Sequence, residues 1–137
     1  MHVRLCCILF VGIIVLFTAG CPFMGLEYED DLVGDYAVWA TDTMEQAAVV
    51  RKDKGTSGAV GVVGKMVFAY GWSDDFIIAK QHPPYPNEYF KIDTSTTHWH
   101  IVEVKTGKVH GPLTEDEFRQ RRAELKVPSS LGFSKTI

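Results

Sequence analysis

Past residue 21 the chain has no cysteine: Cys6, Cys7 and Cys21 are all it contains. This excludes a disulfide framework and thiol catalysis downstream. An excess of basic charge is missing too. Lys and Arg number 14 against 17 Asp and Glu, a formal net charge of −3. That argues against nucleic acid, or an anionic lipid surface, as the main partner. No G-x-S-x-G nucleophile pattern occurs. A phosphate loop ahead of Lys65 fails at Ala59, where glycine is needed, and at Met66, where Ser or Thr should hold magnesium. The dinucleotide fingerprint fails at the same Ala59. Gly61 and Gly64 read instead as bulges or a turn in β structure, and no cofactor is expected.

What the sequence does have is one long apolar run at its start. Arg4 precedes Leu5–Phe17, and Thr18-Ala19-Gly20-Cys21 follows. A basic start, an apolar stretch and small residues form a secretory signal, and the last four residues resemble the bacterial lipobox. In that motif the cysteine takes a diacylglycerol on sulfur and the chain is cut before it. Thr18 stands where an aliphatic residue is usual. The competing possibility is an uncleaved membrane helix. Spanning takes about 20 apolar residues, and Gly20, Pro22 and Gly25 interrupt the charge-free run from Leu5 to Leu26. Residues 1–20 are expected to be a cleavable apolar signal helix, and Cys21 the site of lipidation. Acyl chains such as palmitate would then anchor the domain in the membrane of a bacterial cell envelope.

The remaining 117 residues suffice for one domain with a core. Residues 21–33 are expected to be a lipidated N-terminus and acidic tether. Glu27, Glu29, Asp30 and Asp31 repel one another there and little can pack. Residues 34–137 are expected to form a single β-rich domain. Gly34–Ala40 reads as a strand. Thr43 with Gln46 suits a short helix cap, but Ala47–Lys52 suits a strand as well. Asp53–Gly58 is a loop by composition. Val60–Tyr70 continues as β structure. Asp75–Gln81 has an apolar centre that does not alternate, so it is expected in the middle of a sheet, buried on both faces. Three prolines make His82–Asn87 a loop. Glu88–Asp93 and His98–Val104 read as strands, and Lys105–Lys108 as a turn into Val109-His110. The fold class expected is α+β, mainly β: an antiparallel β-meander sheet with one C-terminal α-helix.

That helix is the most legible element. Thr114 can cap it, Glu117 completes a capping box, and Leu113 and Phe118 stand as a hydrophobic staple. Glu115–Arg119 and Glu117–Arg121 are favourable i,i+4 pairs. Phe118 and Leu125 share a face, and Pro128 stops the helix. The run Asp75–Gln81, the strand Tyr89–Asp93 and the ending Lys108–Phe118 (KVHGPLTEDEF) together resemble a domain-of-unknown-function family of small bacterial lipoproteins. The resemblance implies an envelope location and a β-rich domain. That family has no assigned activity, so it carries over no catalytic residue.

Two candidate sites follow from the residues. His98 and His100 are two apart on a strand and share a face, a spacing that suits zinc or copper. A third ligand would have to come from His82 or His110. Asp74-Asp75 after Ser73 offers too few oxygens for calcium. The other candidate is an interaction surface made of His82, Tyr85, Trp72 and Trp99, with Trp39 as a further aromatic and the stiff loop His82–Pro86 as its centre. The function expected is a non-catalytic binding or structural module, an inhibitor or immunity-type role included, with an envelope protein as its partner. The alternative is a small envelope metal-dependent hydrolase, or a metal-binding protein, using His98 and His100.

Overall fold

Adjacent apolar residues point to opposite sides of a strand, so the run Ile77-Ile78-Ala79 needs a partner layer on each face. The computed structural model supplies both. It describes residues 25–137, so the signal segment and Cys21 lie outside the described residues. Eleven strands and one helix follow in order: β1 (Tyr28–Asp31), β2 (Tyr36–Ala40), β3 (Ala48–Lys52), β4 (Ala59–Val63), β5 (Val67–Trp72), β6 (Phe76–Gln81), β7 (Pro84–Tyr85), β8 (Glu88–Ile92), β9 (His98–Glu103), β10 (Val109–Leu113), α1 (Glu115–Glu124) and β11 (Lys135–Thr136).

The fold is mainly β, antiparallel, with one helix near the C-terminus, as expected. The strands divide between two sheets where a single meander was expected. One sheet is the meander β1-β2-β3-β4, and the other has the order β10-β9-β6-β5-β11. A separate hairpin of β7 and β8 lies in the connection from β6 to β9, which are themselves paired. The second sheet is the middle layer. Ile77 and Ala79 of β6 and Val102 of β9 join Tyr36, Val38, Val49 and Val63 in a core shared with the first sheet. Ile78 and Ile101 face the other way, onto Phe118, Val127 and Leu131. Both Ile77 and Ile78 have zero exposure, each burial being worth about 1.5–3 kcal/mol.

The acidic stretch before residue 32 departs from expectation. It is not a loose tether up to Asp31, because Tyr28–Asp31 pairs with β2 from Tyr28↔Ala40 to Asp31↔Ala37. The strand period separates its charges. Glu29 and Asp31 turn to one face and are both held by the Lys52 ammonium. Asp30 turns to the other face, where the Tyr70 hydroxyl donates to it at 2.6 Å. Tyr28 and Tyr70 join their hydroxyls at 2.6 Å. Burial first, and Asp30 after it, hold the Tyr70 phenol well above its ordinary pKa, so it remains a donor.

The segment 41–54 contains both structures its residues suited. Met44–Gln46 is a single 3₁₀ turn and β3 follows, with Thr43 at the cap position making no side-chain bond there. His82–Asn87 is not all loop. Pro84 and Tyr85 pair with β8, and Asn87 turns the hairpin at φ +67°, a conformation asparagine tolerates.

At the helix, Thr114 and Glu117 form the capping box, and Phe118 is buried. Arg119 pairs with Glu115 at 2.7 Å. Glu117 is committed to Thr114, so the expected Glu117–Arg121 pair gives way to Arg121–Glu124 at 2.8 Å. After the helix the tail crosses β5 where Gly71 lies so close to Gly132 that a Cβ would stand 2.0 Å from its carbonyl oxygen. Only glycine permits that approach.

Tyr70→Phe keeps the ring and removes the hydroxyl that joins β1 to the second sheet. It is expected to lower unfolding free energy in urea by about 1–3 kcal/mol, the cost of leaving partly buried polar groups unpaired. An unchanged midpoint would show that solvent replaces the bond.

Candidate functional site

Three turns meet at one end of the second sheet and leave a groove between them. The first is Met44–Gln46, the second is Lys65-Met66 and the third runs from His82 to the end of the β7–β8 hairpin. Backbone bonds set their spacing: Val67 N–H to the Ala47 carbonyl at 2.9 Å, His82 N–H to the Met66 carbonyl at 3.0 Å, and Asp93 N–H to the Pro83 carbonyl at 2.9 Å. Met66 sits at φ +72°, a left-handed conformation uncommon for a residue with a Cβ.

The groove has two adjoining lobes. One, of about 480 Å³, is walled by Met44, Met66, Phe68, His82, Ile92 and Ile137. The other, of about 540 Å³, shares Glu45, Met66 and Ile92 with the first and adds Lys65 and Lys91 at its rim. An apolar floor with a few polar groups at the edge is the usual form of a ligand site.

His82 is held on two sides. Its ring stacks on Phe68 with centroids 4.0 Å apart and planes 11° from parallel. Its Nδ1 lies 2.8 Å from the Thr96 carbonyl. A carbonyl only accepts, so Nδ1 carries the hydrogen and neutral His82 keeps its lone pair on Nε2. Lys65 donates to Gln46 at 3.0 Å, and Lys91 lies 3.6 Å from Glu88.

The other expected interaction residues scatter. Tyr85 is exposed on the hairpin, with the Lys91 ammonium 4.9 Å from its ring centroid. Trp72 packs on the inter-sheet core and stacks on Tyr70 at 6.2 Å. Trp99 packs between Phe118 at 4.9 Å and Phe133 at 5.4 Å. Trp39 donates its indole N–H to Glu29 at 3.2 Å. The structure therefore brings His82 into a concave surface and commits Trp72 and Trp99 to packing. The groove residues Met44, Met66, Phe68 and Ile92 carried no sequence signal for a common site, because they come from three separate segments and have no shared motif. Ser73–Asp75 forms a turn, with Ser73 N–H on the Phe76 carbonyl at 2.8 Å and Asp75 paired to Lys105 at 2.8 Å.

His98 and His100 both lie on β9, and His100 is buried. Among the described residues no third ligand joins them. His82 is held by Thr96, and His110 lies 2.7 Å from Glu103. Among the described residues no group of three or more His, Cys, Asp or Glu side chains is placed to hold a metal ion. Gln81 spends its amide N–H on the Lys65 carbonyl at 2.8 Å, so its oxygen accepts from His100 Nε2 at 2.9 Å. That leaves Nδ1 of His100 as a buried acceptor with no partner among the described residues. Gly111 covers it, so closely that a Cβ there would stand 2.3 Å from Nδ1.

Burial pushes the His100 imidazole from its ordinary 6.5 down to about 4, and nearby His98 adds to the shift. The unfolded chain therefore takes up a proton before the folded one does. Stability from this group is complete above pH 6.5 and declines as pH falls toward 4. His100→Gln, which does not titrate, is expected to flatten the decline of the urea midpoint between about pH 7 and pH 5. Equal slopes in wild type and variant would remove His100 as the cause.

No curated protein matches the chain. No solved structure matches it either. A family model, Protein of unknown function (DUF3997), matches residues 33–136. The match runs from just before β2 through β11 and includes the groove residues from Met44 to Thr94. With most of its length matched, the chain belongs to the DUF3997 family of unknown function.

Proposed function

We propose that this protein is a lipid-anchored, non-catalytic binding module of the bacterial cell envelope. Cys21 carries the lipid, and the groove beside His82 is the surface that receives an envelope partner. The observation that carries this is the groove itself. It is concave and floored by Met44, Met66, Phe68 and Ile92, with Lys65 and Lys91 on its rim. An extended apolar segment of a partner would be desolvated on that floor and held by the rim. The start of β1 lies close along the chain to the groove. Glu27 N–H bonds the Ala40 carbonyl at 2.8 Å, and Ala40 leads through residues 41–43 to Met44. Five residues, Pro22 to Leu26, separate Cys21 from Glu27, so a lipid on Cys21 would sit within about 22 Å of Glu27.

Two measurements test the two halves. Growth with a radiolabelled fatty acid should mark the wild-type chain and leave Cys21→Ala unmarked. A wild type without label ends the anchoring proposal. For the groove, a photo-crosslinking residue at exposed Thr94 should yield an adduct with one envelope protein in living cells. The adduct should disappear with Ile92→Asp, and the same probe at Arg119 on the helix should give none. Equal adducts from both positions, or none from Thr94, would rule the groove out as the docking surface.

A further inference from the structure

We propose that the first lobe of the groove binds a soft monovalent cation, Cu(I) or its surrogate Ag(I), through the thioether sulfurs of Met44 and Met66 and Nε2 of His82. All three residues line the same space of about 480 Å³. Thioethers are soft donors that select Cu(I), and imidazole suits copper in either oxidation state. A hard divalent cation finds no comparable set: no group of three His, Cys, Asp or Glu side chains among the described residues is placed for one.

The site is organised before any ion arrives. The His82 N–H to Met66 carbonyl bond of 3.0 Å joins two of the three ligand-bearing residues directly. The Val67 N–H to Ala47 carbonyl bond of 2.9 Å ties the strand after Met66 to the turn that carries Met44. The Thr96 carbonyl takes the Nδ1 hydrogen of His82 at 2.8 Å and leaves the Nε2 lone pair for a cation. This is the outer contact that normally fixes a metal-bound histidine. Phe68 holds the ring from below at 4.0 Å. Each methionine has three rotatable side-chain bonds, which lets its sulfur adapt its position in this space. Ile92 and Ile137 complete an apolar wall, which disfavours hydrated hard ions. Glu45, also at this lobe, adds a carboxylate that favours a cation over an anion. The cation names a ligand for the groove, so it rests on the groove being the binding site and is independent of a lipid on Cys21.

The test uses the full chain with Cys6→Ser, Cys7→Ser and Cys21→Ser, which removes competing thiols. Carbon-13 labelling of the ε-methyls gives a signal for each of its four methionines. Ag(I) should move the Met44 and Met66 methyls together and saturate at a single equivalent. Cu(I), added anaerobically against bicinchoninate, should show a matching site. His82→Gln and Met44→Leu should each weaken binding about tenfold or more, with thermal melting preserved. Met66→Leu provides a second thioether deletion should Met44→Leu fail to fold. The cation site is overturned by absence of a shift at one equivalent, by shifts confined to Met1 and Met24, or by unchanged affinity in His82→Gln. Loss of the Ag(I) response with the Thr94 adduct retained would sink the cation and leave the groove standing.

Discussion

Ile77 and Ile78 are neighbours on β6 with opposite spaces to fill, and both are fully enclosed. A sheet that hides both faces needs a layer on each side. The four-stranded meander covers one face, and α1 with the C-terminal tail covers the other. The rest of the molecule follows from that demand. The tail crosses β5 at Gly71, where no side chain intervenes, and carries Leu131 and Phe133 to the helix side. Gly111 lets β10 close over His100. Each glycine replaces side-chain volume with close backbone approach, which a two-sided core requires at its margins.

Charge is organised by the same alternation. Four acids in five residues read as mutual repulsion when taken as a linear run. In a strand they point alternately to two faces, and each face carries its own answer. Lys52 reaches Glu29 and Asp31 from two strands away. Tyr70 meets Asp30 from the other sheet, with Lys135 of β11 at 3.7 Å. Exposed ion pairs contribute little singly. The bond from Tyr70 differs because its donor is wholly buried and lies in the opposite layer. It joins the sheets through a polar contact, in a core that is otherwise apolar.

The groove arises where the layers end. Turns 44–46, 65–66 and 82–83 are brought together by backbone bonds between β3, β5 and β6 territory. These turns supply two thioethers and an imidazole, and Phe68, Ile92 and Ile137 beside them supply a phenyl ring and two isoleucines. His82 was legible as a candidate because it opens a stiff proline loop. Met66 was legible only as the residue that spoils a phosphate loop. Its place on the groove wall comes from a left-handed turn, which the local composition does not announce. Trp99 shows the converse. As an aromatic on a strand it suited a surface, and the helix layer enclosed it between Phe118 and Phe133.

The sequence by itself determined the mainly β class, the central place of residues 76–81 and the capped helix at Thr114. Those depend on local periodicity, turn chemistry and capping pairs, all written within a few residues of one another. Only the tertiary structure decided that the strands form two sheets, that Tyr28–Asp31 joins one of them and that Met44, Met66 and His82 share a cavity. These depend on contacts between residues far apart in the chain, such as Tyr28 with Tyr70 and Tyr70 with Lys135. No local pattern encodes which distant partner will satisfy a buried face or a buried hydroxyl. That choice is made when the layers close and every polar group left inside must find its bond.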